Sequence, residues 1–379
     1  MQYRPFRKLD FKVSALGFGC MRLPTVGGDY AKVNEPLAIE MIRYAIDHGV
    51  NYLDSAHVYH GGNSERVLGK ALRDGYREKV KIATKLPSWA VKERADFDRL
   101  LNEQLERLQV KKIDFYLLHN IQARFWPMLR ELGALDWLDR IKADGRAAQV
   151  GFSFHDTCDL LTEVIGAYDG WAMCQIQYNY MNEHVQAGTK GLKYAASKGL
   201  AVAVMEPILG GCLAKAPDSV QKMFDGATTR RTPAEWALQW VWNKPEVSVV
   251  LSGMSAMEQV VENVESAGRS GVGRMTEEDL RIVKRVREEY ESRRVAPCTR
   301  CGYCVPCPNG VDIPHNMQLY NDAIVFGGNQ LTLNRNLYRG MPEKARAGAC
   351  VACHKCEEKC PQKIKITEWM PKVHEQFSK

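Results

Sequence analysis

The sequence predicts an α/β protein: a (β/α)8, or TIM, barrel followed by a small, mainly helical domain organised around cysteines. Three observations carry that prediction. Eight short apolar runs alternate with helical segments over the first 285 residues. Polar groups of catalytic type stand where several of those runs end. Eight of the twelve cysteines crowd into two groups after residue 297. The implied division is residues 1–285 for the barrel and 286–379 for the second domain.

"VSALGFGC" (13–20) reads as the first strand, apolar and closing on glycines. "EPLAIEMIRYAIDHG" (35–49) has apolar residues at helical spacing, with Pro36 near its start and Gly49 at its end. "VNYLDSA" is the second strand, and "NSERVLGKALR" a helix opening on a cap-like Asn or Ser. "VKIATKL" and "DFDRLLNEQLERLQV" repeat the pair. "KIDFYLLH", "AQVGFSF", "MCQIQYNY", "LAVAVME" and "VSVVLSG" supply five more strands. Helical candidates among them are "GTKGLKYAASKG", "TPAEWALQWVWNK" and "SAMEQVVENVESAG". Eight units in about 265 residues is the count and length of a closed barrel. The rival, an open doubly wound sheet, calls for a G-x-G-x-x-G turn after strand one, which "LGFGCMRLP" does not supply.

Hydrophobic content of 45% and charged content of 26% place the chain among globular proteins. The formal charge of +7 comes from scattered Lys and Arg, without a dense basic tract, so a nucleic-acid surface is not indicated. "MQYRPFRKLDFKV" lacks the apolar stretch of a secretion signal, and no run approaches 18 apolar residues, so no membrane span is expected. Cysteines grouped at three-residue spacing favour a shared inorganic centre over disulfides, and hence a reducing, cytoplasmic setting.

In a barrel the chemistry sits at the C-terminal ends of the strands. Strand two ends at Asp54 with Tyr59 just beyond, strand three at Lys85 and strand four at His119. Together these describe a proton donor. A phenol titrates near about 10 when unperturbed. A neighbouring ammonium stabilises the phenolate and lowers that value, while the aspartate keeps the ammonium charged and oriented. The tuned phenol can protonate a carbonyl oxygen as charge develops on it, with His119 orienting the carbonyl or helping relay the proton. Alone, Tyr59 would be loop packing and Lys85 a surface ion pair; their joint placement on successive strands is what points to chemistry.

Residues 1 to about 285 resemble the aldo/keto reductase superfamily, through "LGFGCMRL", "NYLDSAHVYHGGNSERVLGKAL", "IATKL", "IDFYLLH" and "VGFSFH". The five-residue step from Asp54 to Tyr59, then Lys85 and His119, fits that family's catalytic tetrad. The resemblance implies hydride transfer from a reduced nicotinamide to a carbonyl carbon with Tyr59 supplying the proton, or the reverse oxidation of an alcohol. It also implies a carboxamide site of Ser–Asn after strand five and Gln on strand six. Here Ser153 and Gln175 are present, but Phe154 takes the asparagine position; either His155, next in the chain, replaces it or Phe154 signals a shifted cofactor pose. "SGMSAMEQVVEN" resembles the adenosine-end segment through Glu262 and Asn263. The places where NADPH-specific members carry basic residues hold Gly253 and Gln259, which favours NAD(H) over NADP(H), since a 2′-phosphate prefers Arg or Lys. Gly210 and Gly211 after strand seven either let backbone approach the pyrophosphate or simply shape a turn. Substrate choice is expected from "HNIQARFWPML", Trp89, Tyr178, Tyr180 and the loop after Gly211, whose aromatic content either suits an apolar or ring-bearing compound or simply walls the nicotinamide pocket.

Cys298, Cys301, Cys304 and Cys307 precede Pro308, and Cys350, Cys353, Cys356 and Cys360 precede Pro361. Cysteines at these intervals, ending in Cys-Pro, match ligands of [4Fe–4S] centres; the first group is one residue short before its last cysteine. Zinc is the alternative, although it normally uses two cysteine pairs with a longer spacer. The stretch resembles two-cluster bacterial ferredoxins, with "IPHNMQLYNDAIVFGGN" and "LTLNRNLYRGM" read as helices. That resemblance implies crossed ligation: Cys298, Cys301, Cys304 and Cys360 on one cluster, and Cys350, Cys353, Cys356 and Cys307 on the other.

A nicotinamide moves two electrons as hydride, whereas each cubane takes one, and no flavin site is evident between them. Three readings stay open. The clusters exchange electrons with an external ferredoxin or flavoprotein, they serve a radical route on an unusual substrate, or they staple the tail and form a dimer or docking surface. A non-enzymatic electron-transfer subunit with an idle barrel is the remaining class, and the complete Asp54, Tyr59, Lys85, His119 set argues against it.

Overall fold

The structure, a computed structural model, describes residues 1–298 and 301–379. The chain divides into two units: residues 1–215 with 228–280, and residues 216–227 with 281–379.

The first unit opens with a hairpin of β1 (Tyr3–Pro5) and β2 (Lys12–Ser14). Eight parallel strands follow: β3 (Leu16–Gly19), β4 (Tyr52–Asp54), β5 (Lys81–Pro87), β6 (Ile113–Ile121), β7 (Ala147–Phe154), β8 (Trp171–Gln177), β9 (Ala201–Met205) and β10 (Val247–Gly253). Each pairs with the next, and β10 pairs with β3 from Val250↔Leu16 to Gly253↔Gly19, which closes the barrel. Helices flank the strands, several started by side-chain caps: Asn34 on Leu37 N, Thr157 on Leu160 N and Thr232 on Glu235 N. A helix at Trp126–Glu131 occupies part of the stretch expected to form a substrate loop. Trp126 is buried and donates to Glu163 Oε1 at 2.9 Å, so its ring packs the barrel wall.

Side chains alternate along a strand, which sorts the barrel interior into layers. Tyr52, Ala83, Phe115, Leu117, Met173, Ala201, Ala203, Val249 and Leu251 form one buried cluster, and Phe6 of the N-terminal segment joins it with its ring 4.8 Å from Phe115. The hairpin segment thereby plugs the N-terminal end. Gly151 faces the same interior: a Cβ there would stand 2.5 Å from Met173 O and 2.8 Å from Leu117 Cδ2, so only glycine fits. Two residues beyond these positions the inward-facing residues become Asp54, Lys85, His119, Ser153 and Gln175. The apolar plug is the floor on which the polar mouth is built.

The second unit is mainly helical, with Ile313–Phe326, Gly328–Gly340 and Ile366–Ser378 as its main helices and a short Lys355–Glu358 turn. Its core gathers Met317, Leu319, Tyr338, Met370, Val373 and Phe377, and several cysteines pack against that core. Asn321 ties the incoming chain down by accepting from Ala296 N and donating to Ala296 O, at 3.0 and 2.7 Å.

Candidate active site and cysteine clusters

Strand exits β4, β5 and β6 bring Asp54, Lys85 and His119 to one mouth, and the 3-10 turn Tyr59–Gly62 adds Tyr59. Lys85 Nζ donates to Asp54 Oδ1 at 2.6 Å, to Ser55 O at 2.7 Å and to Tyr59 OH at 3.4 Å. Both Lys85 and Asp54 are almost wholly buried. Gln175 Nε2 donates to the other Asp54 oxygen at 3.3 Å. The Tyr59 ring meets His119 edge-on at 6.0 Å, and Trp89 covers His119 from the solvent side at 5.1 Å.

Electrostatics assigns a protonation state to each group. Burial pushes the Asp54 carboxyl up, opposed by Lys85. For Lys85, burial would lower the ammonium, but Asp54 and Tyr59 together hold it above its ordinary value. His119 lies well below 6.5 through burial and the Lys85 charge, and burial lowers His155 as well. Tyr59 differs from expectation. Burial raises the phenol, and the nearby ammonium only draws part of that rise back. The result is a neutral hydroxyl beside a fixed cation, which is the form a proton donor needs.

The layer beneath Lys85 was not foreseen. Glu65, fully buried, accepts from Thr84 Oγ1 and Gln104 Nε2, both at 2.6 Å, and Gln104 also donates to Lys85 O at 3.1 Å. Tyr116 OH closes the network on Gln104 Oε1. These bonds fix the β5 backbone at the lysine, and their only sequence signal is a set of polar residues inside otherwise apolar elements.

The residues expected to hold a nicotinamide dinucleotide fare unequally. Ser153 Oγ accepts from Asn120 N at 2.8 Å and keeps its own proton to donate. Phe154 points outward onto Phe152, whereas His155 returns to the inward phase and shares the field of His119. Gln175 Oε1 is buried without a hydrogen-bond partner among the described residues, and so are His119 Nδ1 and both amide atoms of Gln177. Gln177 lies two residues past Gln175 on the same face of β8. The strand period could have revealed it. At the far rim, Gln259 is engaged with Ser255 N at 2.8 Å, Glu262 with the Thr232 hydroxyl, and Asn263 with Ser252 Oγ at 3.1 Å. Gly210 and Gly211 both have positive φ. Arg22, overlooked in "CMRLP", runs its stem past Gly253, where a Cβ would be 2.8 Å from Arg22 Cγ, and sets its guanidinium 3.7 Å from the Cβ position of Gly210. Tyr178 and Tyr180, expected in the substrate loops, are instead buried with their rings 5.2 and 6.4 Å from Trp240.

In the second unit, Cys298, Cys301, Cys304 and Cys360 line one cavity, closed by Ile313, Met317 and Ile364. This is the crossed grouping. Burial and the adjacent thiols push Cys304 up to about 11, and Cys356 rises to about 11 by burial, with Cys350 among its charged neighbours. Such crowded thiols ionise together only against a compensating multivalent cation centre.

The model of the aldo/keto reductase family matches residues 15–287, well over half of the chain. The chain belongs to the aldo/keto reductase family. A second model, the 4Fe–4S dicluster domain, matches residues 297–365, so this aldo/keto reductase carries an iron–sulfur domain after its barrel. L-galactose dehydrogenase of Arabidopsis thaliana is 28% identical over 321 residues, which covers 77% of this chain and 96% of the relative. An aldo-keto reductase from Bacillus halodurans, in its holo form, has the same fold with a TM-score of 0.64 at 24% identity, covering 76% of this chain and 96% of that one. Another from Klebsiella pneumoniae, solved in complex with NADPH, superposes with a TM-score of 0.59 at 23% identity, covering 73% and 91%. Among the described residues of this aldo/keto reductase, no helix is long and apolar enough to cross a membrane.

For an NAD(P)H-dependent oxidoreductase the orphaned amide atoms of Gln175 and Gln177 fit the group the family uses. They are buried, polar and unsatisfied beside the tetrad, and such atoms require a polar ligand or water. The cysteine donor set fits iron–sulfur centres by softness and grouping.

Proposed function

We propose that this oxidoreductase interconverts a carbonyl compound and its alcohol, with Tyr59 as general acid and base. The observation that carries the reading is the buried Lys85 ammonium, 2.6 Å from Asp54 and 3.4 Å from the Tyr59 hydroxyl. A bound reduced nicotinamide supplies the hydride. Tyr59 holds the proton at its Oη until charge develops on the carbonyl oxygen. Lys85 then stabilises the phenolate as it forms, Asp54 keeps Lys85 charged, and neutral His119 is placed to orient the carbonyl. Ser153, His155, Gln175 and Gln177 would hold the carboxamide, with Arg22 near Gly210, Gly211 and Gly253 as the cation for phosphate. Gly253 and Gln259 themselves carry no charge for a 2′-phosphate, which favours NAD(H), while Arg22 beside Gly253 is the cation that NADP(H) would call on instead. Fluorescence titration with NADH and NADPH tests this, and tighter binding of NADPH would reverse the preference.

Two expectations follow at this site. Gln175→Leu and Gln177→Leu should each weaken dinucleotide binding about tenfold, the loss of one or two hydrogen bonds, as read by the same titration. The pH profile has a definite sign. Because burial holds the Tyr59 phenol above 10.0, carbonyl reduction should stay level from about pH 6 to beyond about pH 9 and fall only above that. Alcohol oxidation, which needs the phenolate, should rise with pH over the same span. His119 lies far below 6.5, so no limb should appear near neutrality in a pH–rate measurement.

For the tail, the reading is two [4Fe–4S] clusters with crossed ligands that exchange electrons with an external ferredoxin- or flavoprotein-type partner. The cavity shared by Cys298, Cys301, Cys304 and Cys360 supports the crossing. A second reading, clusters as a structural staple beside a self-sufficient reductase, is favoured by the packing of cysteines against the small core. Anaerobic purification, iron and sulfide analysis and low-temperature EPR with and without NADH separate them. About eight irons per chain is expected. A new signal on NADH connects the two activities, reduction by added reduced flavodoxin favours the outside partner, and clusters that only dithionite reduces favour the staple. A chain with little iron that still folds its second unit removes the cluster reading.

A further inference from the structure

The charge of the chain is not evenly spread. Residues 1–280 hold 35 Lys and Arg against 35 Asp and Glu, so the whole +7 resides in residues 281–379, which hold 17 against 10. Within that segment two ligand loops expose large apolar residues, Tyr303 at 66% in the first and Val351 in the second, and only the second is followed closely by several lysines. Val351, Ala352, Cys353, His354 and Lys355 are consecutively exposed, and Val351 is 64% exposed despite being a large apolar residue. Ala352 and His354 adopt left-handed backbone with φ of 52° and 60°, which turns the loop between ligand cysteines Cys350 and Cys356 outward. Lys355 ends this tip and Lys359 follows one turn later at the end of the same short helix, with Lys363 four residues further on; all three are exposed, with no ion pair among the described residues. The acids nearby are partly spent: Glu357 accepts from Thr367 N and Oγ1 at 2.8 and 2.6 Å and faces His354 at 3.1 Å, which leaves Glu358.

We propose that this tip is the docking face for an acidic, one-electron carrier protein, with Val351 and Ala352 as its apolar centre and Lys355, Lys359 and Lys363 as its basic rim. An apolar centre inside a charged rim is the anatomy of a protein interface, and small faces of this kind suit short-lived redox encounters. Charge complementarity selects the partner: the rim attracts a carboxylate-rich surface and repels a basic one. The position, on the ligand loop of the second cysteine group, brings a carrier to Cys353, which is exposed to solvent as Cys301 is in the first group. The inference rests on the electron-exchange reading of the clusters and adds where, and to what chemistry, that exchange is directed.

The test uses the iron-loaded full chain under anaerobic conditions, with flavodoxin as the acidic carrier and cytochrome c as the basic one. Calorimetry should show flavodoxin binding that weakens at least about tenfold between about 20 and about 300 mM NaCl, and no binding of cytochrome c. The variant K355E/K359E/K363E should lose about tenfold in flavodoxin affinity at low salt, with iron content and the dithionite-reduced EPR signal unchanged. Salt-independent binding, or an unchanged affinity in the variant, overturns the docking face while leaving the electron-exchange reading intact. Clusters that take no electron from dithionite overturn both. Binding of a DNA duplex that depends on the three lysines, without any such dependence for flavodoxin, assigns the rim to nucleic acid and overturns the proposal.

Discussion

Tyr59→Phe is expected to lower the turnover number for carbonyl reduction by about 100- to 10,000-fold, the range of a positioned general acid, with dinucleotide affinity almost unchanged. The change removes one hydroxyl and one 3.4 Å bond from Lys85, and leaves the Lys85–Asp54 pair at 2.6 Å untouched. The complementary variant Lys85→Met is less clean. Asp54 would remain buried without its counter-ion, at a cost of about 3–5 kcal/mol for breaking a buried pair. Lost stability would then mix with lost rate. Steady-state kinetics of Tyr59→Phe, with a thermal melt as control, isolates the proton transfer. A variant that turns over like the parent would mean that the proton comes from elsewhere, and His119 or an ordered water would have to be reconsidered.

The second large effect concerns the cysteines. Cys360→Ala should remove the same cluster that Cys298→Ala removes, so either variant should fall from about eight irons toward about four. Cys307→Ala should pair instead with Cys350→Ala. Comparison of the EPR or Mössbauer spectra of the four variants decides whether ligands cross, because uncrossed ligation would group Cys307 with Cys298. The second unit should also lose stability in each case. Its core is small, and metal binding free energy becomes folding free energy where a site does not exist in the unfolded chain. Removing one centre is expected to lower the midpoint of the second unit while the barrel melts as before. A single shared melt unaffected by iron would count against the cysteines as a structural support.

What the sequence conveyed, and what it did not, follows from the range of each signal. Strand periodicity and strand ends are local. They placed Asp54, Lys85 and His119 at neighbouring exits, and the same period applied two residues past Gln175 would have exposed Gln177. Spacing of cysteines is equally local. The N-terminal hairpin escaped because its strands have three residues each, too few for a pattern to repeat. Tyr178 and Tyr180 could not be oriented from sequence because β8 ends at Gln177, and beyond a strand end the alternation no longer says which way a ring points. Glu262 and Asn263 looked available for a ligand, yet their partners Thr232 and Ser252 lie 30 and 11 residues away. The direction of the Tyr59 shift depended on burial, a property of the closed barrel that no short motif carries.

The cavity lined by Cys298, Cys301, Cys304 and Cys360 has a consequence for biosynthesis. The last barrel strand ends at Gly253, so the barrel can close while the ribosome is still translating the tail. The cavity is incomplete until Cys360, well beyond that strand in the chain, has emerged. A nascent or truncated chain would therefore present a folded barrel and a set of open thiols, exposed to oxidation and to the wrong metal. Completion of this centre has to wait for Cys360, and the earlier-made ligands must be kept reduced meanwhile. A truncation short of Cys360 should accumulate as an iron-poor but barrel-competent species, a form that quality control would meet whenever translation stops early.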